Sequence, residues 1–259
     1  MAAVDDKPAP VLTFPSDGAL TGEEADQVCD AARGAVSANG KVRMYAQAEQ
    51  RPRFRGTLHA YAFFAAIGGV GILFARASTG RAVAGAAIYA LALLALFGTS
   101  ALLHRRRWTV RACALMRRLD HAMIYLLIAG TYTPIALLVL SPGWSAAMLI
   151  AAWTGALLGI GFQLFWKSAP GWLAQVLYLV NGSLVVLCIP QLATNLGVGW
   201  VALILLGGLF YTLGSINMAR RRPNPRPAVF GYHEVFHTLV VLAAAAHFVV
   251  INVAVLPRG

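Results

Sequence analysis

Seven apolar runs, each about twenty residues long, occupy most of the chain after residue 56. They cover roughly residues 57–76, 82–104, 120–141, 144–166, 172–192, 198–218 and 232–255. A helix of about 20 residues crosses the hydrocarbon core of a bilayer, which is about 30 Å thick. Helices also satisfy every backbone polar group internally, as the bilayer interior requires. The sequence therefore predicts an all-α integral membrane protein, a bundle of seven transmembrane helices.

Charged residues are scarce and unevenly placed. They make up 12% of the chain, against about 25% in soluble proteins. Eight of the ten acidic residues lie in the first fifty positions, so that only Asp120 and Glu234 follow. Residues 1–50 are predicted to form a polar cytoplasmic tail, with a short helix from the capping-box sequence at Thr21 to about Ala35. Residues 51–259 would then form the membrane domain.

The basic residues predict the orientation of the bundle. One set of connections holds 14 Lys and Arg residues after residue 50, and the opposite set holds only Arg76, Arg81 and Arg258. The positive-inside rule then places the N-terminus in the cytoplasm and the C-terminus outside, in the plasma (inner) membrane. Nucleic-acid binding is not expected, because the positive charges lie in short clusters between apolar runs and do not form a soluble basic face.

The three cysteines, Cys29, Cys113 and Cys188, are widely separated along the chain. An odd, scattered set argues against a disulfide framework. The cysteines are predicted to be small buried residues.

Most of the histidines are predicted to gather at one depth, near the cytoplasmic ends of the helices. His59 begins the first span, His104 ends the second, Asp120 and His121 open the third, and His233 and His237 open the seventh. Ionisable groups at membrane depth are costly and usually functional. The clustering therefore predicts a site.

The seventh span opens with the string His233-Glu234-Val235-Phe236-His237, which fits the H-E-x-x-H zinc pattern on a helix. Histidines at positions i and i+4 project from one helical face and can bind one cation. With His104 as a third donor, the set corresponds to a catalytic zinc site, in which the fourth position stays open. The alternative is that these histidines only hydrogen-bond backbone carbonyls.

Three separated motifs resemble one known family. They are Ser100-Ala101-Leu102-Leu103-His104, Leu119-Asp120-His121 with Ile128-Ala129-Gly130-Thr131-Tyr132-Thr133-Pro134, and Gly231-Tyr232-His233-Glu234-Val235-Phe236-His237. Together, over about residues 55–255, they resemble the haemolysin III family, the bacterial branch of the progestin and adipoQ receptor superfamily.

The resemblance implies that His104, His233 and His237 hold Zn²⁺. It also implies that Asp120 holds or activates the water at the zinc, and that Ser100 offers a hydroxyl beside it.

One departure from the family pattern is visible. Family members often carry Asn four residues before the first-span histidine, where this chain has Arg55. His59 is therefore predicted to be a structural cap or an interfacial residue. His121 is predicted to pack beside Asp120, and His247 to be a core residue too deep to join the others.

Two carboxylates compete for the role of catalytic base. The zinc pattern nominates Glu234, and the family resemblance nominates Asp120. We favour Asp120, because the family pattern specifies only His-x-x-x-His in the seventh span. Glu234 is then expected to face the basic cluster of Arg220, Arg221 and Arg222.

The sequence leaves several functions open. The first is a zinc-dependent hydrolase that acts on amide or ester bonds of membrane lipids; superfamily relatives linked to ceramide hydrolysis imply an amidase. The second is a non-enzymatic sensor or receptor with structural zinc, and the third is a cytolysin. A homo-oligomer is also an open alternative. A transporter is not favoured, because no internal repeat or pair of broken helices is visible.

Overall fold

The structure, a computed structural model, describes residues 52–106, 108, 110–166 and 171–259. Within those ranges lie seven helices long and apolar enough to cross a membrane. The elements are α1 (Thr57–Arg76), α2 (Gly80–Arg105), α3 (Val110–Leu138), α4 (Pro142–Phe165), α5 (Gly171–Gly182), α6 (Ile189–Leu196), α7 (Val198–Arg220) and α8 (Tyr232–Val250). The predicted seven-span helical class is confirmed, and the predicted tail helix lies outside the described residues.

The third span begins earlier than predicted. We expected it to start at about residue 120, with Asp120 and His121 at its opening, but α3 starts at Val110. The ten residues from Val110 to Leu119 contain neither Gly nor Pro, so nothing in them interrupts a helix. Hydropathy marks only the apolar part of a helix, which is why the prediction was wrong here.

Two spans depart from a uniform α-helix. The fifth consists of α5, a 3₁₀ segment (Ser183–Cys188) and α6, with Pro190 in the first turn of α6. The seventh continues beyond α8 as a π-helical segment (Ile251–Val255) and a 3₁₀ turn (Leu256–Arg258). Proline lacks a backbone N–H, so the regular hydrogen-bond ladder cannot pass through Pro190 or Pro257 unchanged.

The spans form a ring in chain order. Consecutive spans pack against each other, and α1 closes the ring by packing against α8. The buried apolar residues form two clusters, one around α1, α2 and α8 and the other around α3, α4 and the fifth span. Many large apolar side chains are exposed on the outside, among them Tyr61, Phe64 and Phe165. In a soluble protein such a surface would be costly, but here it faces lipid.

Small residues bring α2 and α3 close together. A Cβ on Gly130 would lie 2.5 Å from Ala92 Cβ, and a Cβ on Gly85 would lie 3.0 Å from Pro134 Cα. Transmembrane helices associate largely through such close backbone packing. The contact fixes α2 against α3, and these helices carry Ser100, His104 and Asp120.

The two described cysteines, Cys113 and Cys188, are buried, as predicted, and Cys29 lies outside the described residues.

Candidate metal centre

Three histidines meet where α2 ends and α8 begins. His104 lies in the last turn of α2, and His233 and His237 lie in the first two turns of α8. One nitrogen of each imidazole can be chosen so that all three atoms lie within 4.8 Å of one another. The ligand set predicted from the motifs is therefore brought together by two helices that are far apart in sequence.

The donor set fits a metal ion. His104 Nε2 and His233 Nε2 are 3.1 Å apart, whereas two nitrogens on one tetrahedral zinc lie about 3.3 Å apart, given Zn–N distances of about 2.0–2.1 Å. His237 is 2% exposed, and His104 and His233 are partly buried. The three side chains can thus bind one cation while one side of the group stays accessible.

His59, predicted to be a structural cap or an interfacial residue, lies against this cluster. The residue is 3% exposed. Its ring stacks on His237, with centroids 3.7 Å apart and planes 8° from parallel, and its Nδ1 lies 2.8 Å from Ser100 Oγ. Within the described part of the chain its Nε2 has no hydrogen-bond partner.

Asp120 lies beside the histidines but outside their group. Its carboxylate lies close to the Ser100 hydroxyl. His121 Nδ1 donates to the Arg117 carbonyl at 2.8 Å, one turn back along α3. The packing of His121 beside Asp120 stays a prediction. Asp120, Ser100 and His59 form a chain of polar contacts that ends on the His237 ring.

Glu234 is engaged elsewhere. Its side chain is 1% exposed, and Oε2 accepts a hydrogen bond from the Gly231 backbone N–H at 2.8 Å. The other oxygen, Oε1, lies 3.2 Å from Arg55 Nε. The expectation that Glu234 faces Arg220, Arg221 and Arg222 was therefore wrong. That basic cluster follows α7, whereas the carboxylate points toward the segment before α1 and caps the N-terminus of its own helix.

Two loops join each other next to the cluster. Arg53 N–H donates to the Ala228 carbonyl at 3.1 Å, and Phe54 N–H donates to the Val229 carbonyl at 3.2 Å. Gly56 follows with φ of 72°, and a Cβ there would lie 2.4 Å from His104 Cβ. Only glycine combines this backbone conformation with so close an approach. The segment before α1 is thereby held against the end of α2.

His247 lies apart from the cluster, as predicted. Its Nε2 donates to the Ile204 carbonyl on α7 at 3.1 Å, and its ring contacts Tyr211. Ten residues separate it from His237, or about 15 Å along a helix.

A comparison with known proteins agrees with this geometry. The sequence model of the family described as Haemolysin-III related matches residues 47–248. The chain belongs to the haemolysin III family. Membership and the seven apolar helices together make it a multi-pass protein of the cell membrane.

Two bacterial relatives of the haemolysin III family are similar to it. The Hemolysin-3 homolog of Bacillus subtilis (strain 168) is 31% identical over 161 residues, which cover 62% of this chain and 72% of the relative. Hemolysin-3 of Bacillus cereus is 32% identical over 181 residues, which cover 70% of this chain and 80% of the relative.

Sequence reasoning missed two contacts in this haemolysin III family member. One is the stacking of His59 on His237, which the shared depth of the histidines could have suggested. The other is the ion pair between Arg55 and Glu234. Arg55 and Glu234 are both visible in the sequence, but no local pattern connects positions that far apart.

Proposed function

We propose that this protein is a zinc-dependent hydrolase that cleaves amide or ester bonds of membrane lipids. The observation that carries the proposal is the convergence of three buried or half-buried histidines with a separate carboxylate, Asp120, at the end of a transmembrane bundle. Structural zinc sites use four protein ligands, whereas catalytic sites use three. A site among membrane helices is most easily reached by substrates that share the bilayer.

His104, His233 and His237 would hold the ion. A bound Zn²⁺ supplies Lewis acidity and lowers the pKa of a coordinated water to about 7. His59 supports this ligand set, because its ring lies flat against His237 and limits rotation of that imidazole. Ligand rings fixed in this way lose little conformational freedom on binding.

Asp120 would act as general base. Its carboxylate, placed by the Ser100 hydroxyl, accepts the proton as water adds to the lipid carbonyl. Ser100 is itself fixed by His59 at 2.8 Å. Glu234 is unsuited to this role, since one of its oxygens caps α8 and the other faces Arg55.

The test is hydrolysis by the purified, zinc-loaded protein in nanodiscs that contain N-acyl sphingoid lipids or glycerol ester lipids, with fatty acid release measured by mass spectrometry. We expect Asp120→Asn to lower turnover by roughly 10²–10⁴-fold, the range for loss of a general base. Glu234→Gln should stay within a few-fold of the parent protein.

Three outcomes would contradict the proposal. One is that the protein hydrolyses none of the lipids while zinc is fully bound, and that its Tm falls when the metal is removed. That result would identify the metal as structural. Another is unchanged turnover in Asp120→Asn. The third is dye release from liposomes without hydrolysis, which would favour the lytic role that the relatives' names denote.

A further inference from the structure

A groove of about 960 Å³ lies between α7 and α8, on the outside of the bundle and near the end that carries the histidines. Its lining residues are Leu213, Ile216, Asn217, Arg220, Arg222, Pro223, Asn224, Val235 and Leu239. Val235 and Leu239 lie on α8 two residues after His233 and His237, so they face away from the metal cluster. The groove is therefore a separate feature.

The deeper part of the groove is apolar. Leu213 and Ile216 are 43% and 40% exposed on the surface of a membrane-spanning helix. Val235 and Leu239 form the opposite wall. Such a surface matches a lipid acyl chain, because no polar group on it would lose a hydrogen bond to water.

The end of the groove is positively charged. Arg220 and Arg222 are both exposed. The structure describes two acidic residues, Asp120 and Glu234, and Glu234 faces Arg55. Over the described part of the chain neither of the two groove arginines is in an ion pair, so their charge is available to an external anion.

A buried amide completes the groove. Asn217 is 4% exposed, and its Nδ2 donates to the Pro223 carbonyl at 3.5 Å. Its Oδ1 is enclosed and has no partner among the described residues, so it lies out of reach of a ligand in the groove. The amide contributes to the groove through its Nδ2 contact, which holds the turn that carries Arg222 against α7.

We propose that this groove binds one anionic phospholipid. Arg220 and Arg222 contact the phosphate, since basic pockets between transmembrane helices recognise anionic headgroups. One acyl chain lies between Leu213 and Leu239.

Lipid binding to the full-length protein in detergent can be measured by native mass spectrometry, with phosphatidylglycerol and phosphatidylcholine added at equal concentration. We expect phosphatidylglycerol to be retained at least about tenfold more strongly. The double variant Arg220→Gln/Arg222→Gln should lose roughly 10–30-fold of that affinity. The matched control Arg106→Gln/Arg226→Gln removes the same charge from two exposed residues outside the groove and should change it by less than about threefold.

Equal retention of phosphatidylcholine, or equal losses in the two double variants, would overturn the site.

Discussion

The two halves of α8 each carry a histidine, buried for His237 and partly buried for His247, but in different surroundings. His237 meets two other histidines and the ring of His59. His247, about 15 Å deeper, meets one carbonyl and Tyr211, and its Nδ1 has no partner among the described residues. Burial and an unpartnered nitrogen therefore do not distinguish a site from a core position. A site is distinguished by nitrogen donors that converge from separate helices.

The largest difference in metal binding is expected when one histidine is removed from each half of α8. His237→Ala removes one of the three proposed ligands. We therefore expect metal affinity to fall by more than the roughly 10–100-fold that follows from changes to residues around a metal site. His247→Ala should keep stoichiometric metal and lower only the Tm. Metal analysis of the purified variants by mass spectrometry measures both. Equal metal contents in the two variants would remove the distinction.

Ser100→Ala tests whether the Ser100 hydroxyl supports the metal cluster or the fold alone. The change leaves His59 Nδ1 and Asp120 without the shared hydroxyl, and we expect metal affinity or lipid hydrolysis to fall roughly tenfold, the lower end for such supporting residues. Ser183→Ala is the matched control, because that hydroxyl donates to the Val180 carbonyl in the fifth span, away from the histidines. Similar results for both variants would show that Ser100 supports the fold alone.

A backbone change tests whether the loop before α1 matters to the cluster. Gly56→Ala places a Cβ 2.4 Å from His104 Cβ and adds about 1–2 kcal/mol of backbone strain at positive φ. We expect weaker metal binding and a lower Tm. Gly68→Ala, in the open surroundings of mid-α1, should leave metal affinity unchanged, and its Tm should stay level or rise. Intact metal affinity in Gly56→Ala would separate the loop from the site.

The smallest effect on metal binding is expected in the deeper half of the bundle. A Cβ on Gly207 would lie 2.5 Å from His247 Nε2, so Gly207→Ala should displace that ring from the Ile204 carbonyl. We expect a destabilisation of about 1–3 kcal/mol, the range for overpacking, seen as a lower Tm by thermal unfolding. Metal content should not change. A loss of metal here would connect His247 to the cluster after all.

The sequence predicted the spans and the three histidines well, because both depend on local patterns. Hydropathy over about twenty residues reports a span, and His233 and His237 lie one turn apart. The position of His59 was missed, because its contact with His237 depends on how α1 is rotated against α8. The contact between Glu234 and Arg55 was missed because it depends on a turn at the positive φ of Gly56. One glycine in the sequence does not predict such a turn. The start of α3 was missed because helix and apolar segment do not coincide.

The hydrogen bonds between the segments 53–54 and 228–229 have a consequence for the handling of this protein. They lie outside the spanning helices and, with Arg55 and Glu234, tie the beginning of the first helix to the beginning of the last. A single proteolytic cut between residues 223 and 227 would break the chain between α7 and α8 but leave every transmembrane helix and this tie whole. The nicked protein should therefore migrate as an intact bundle in detergent and release a bound metal ion to a chelator no faster than the uncut protein.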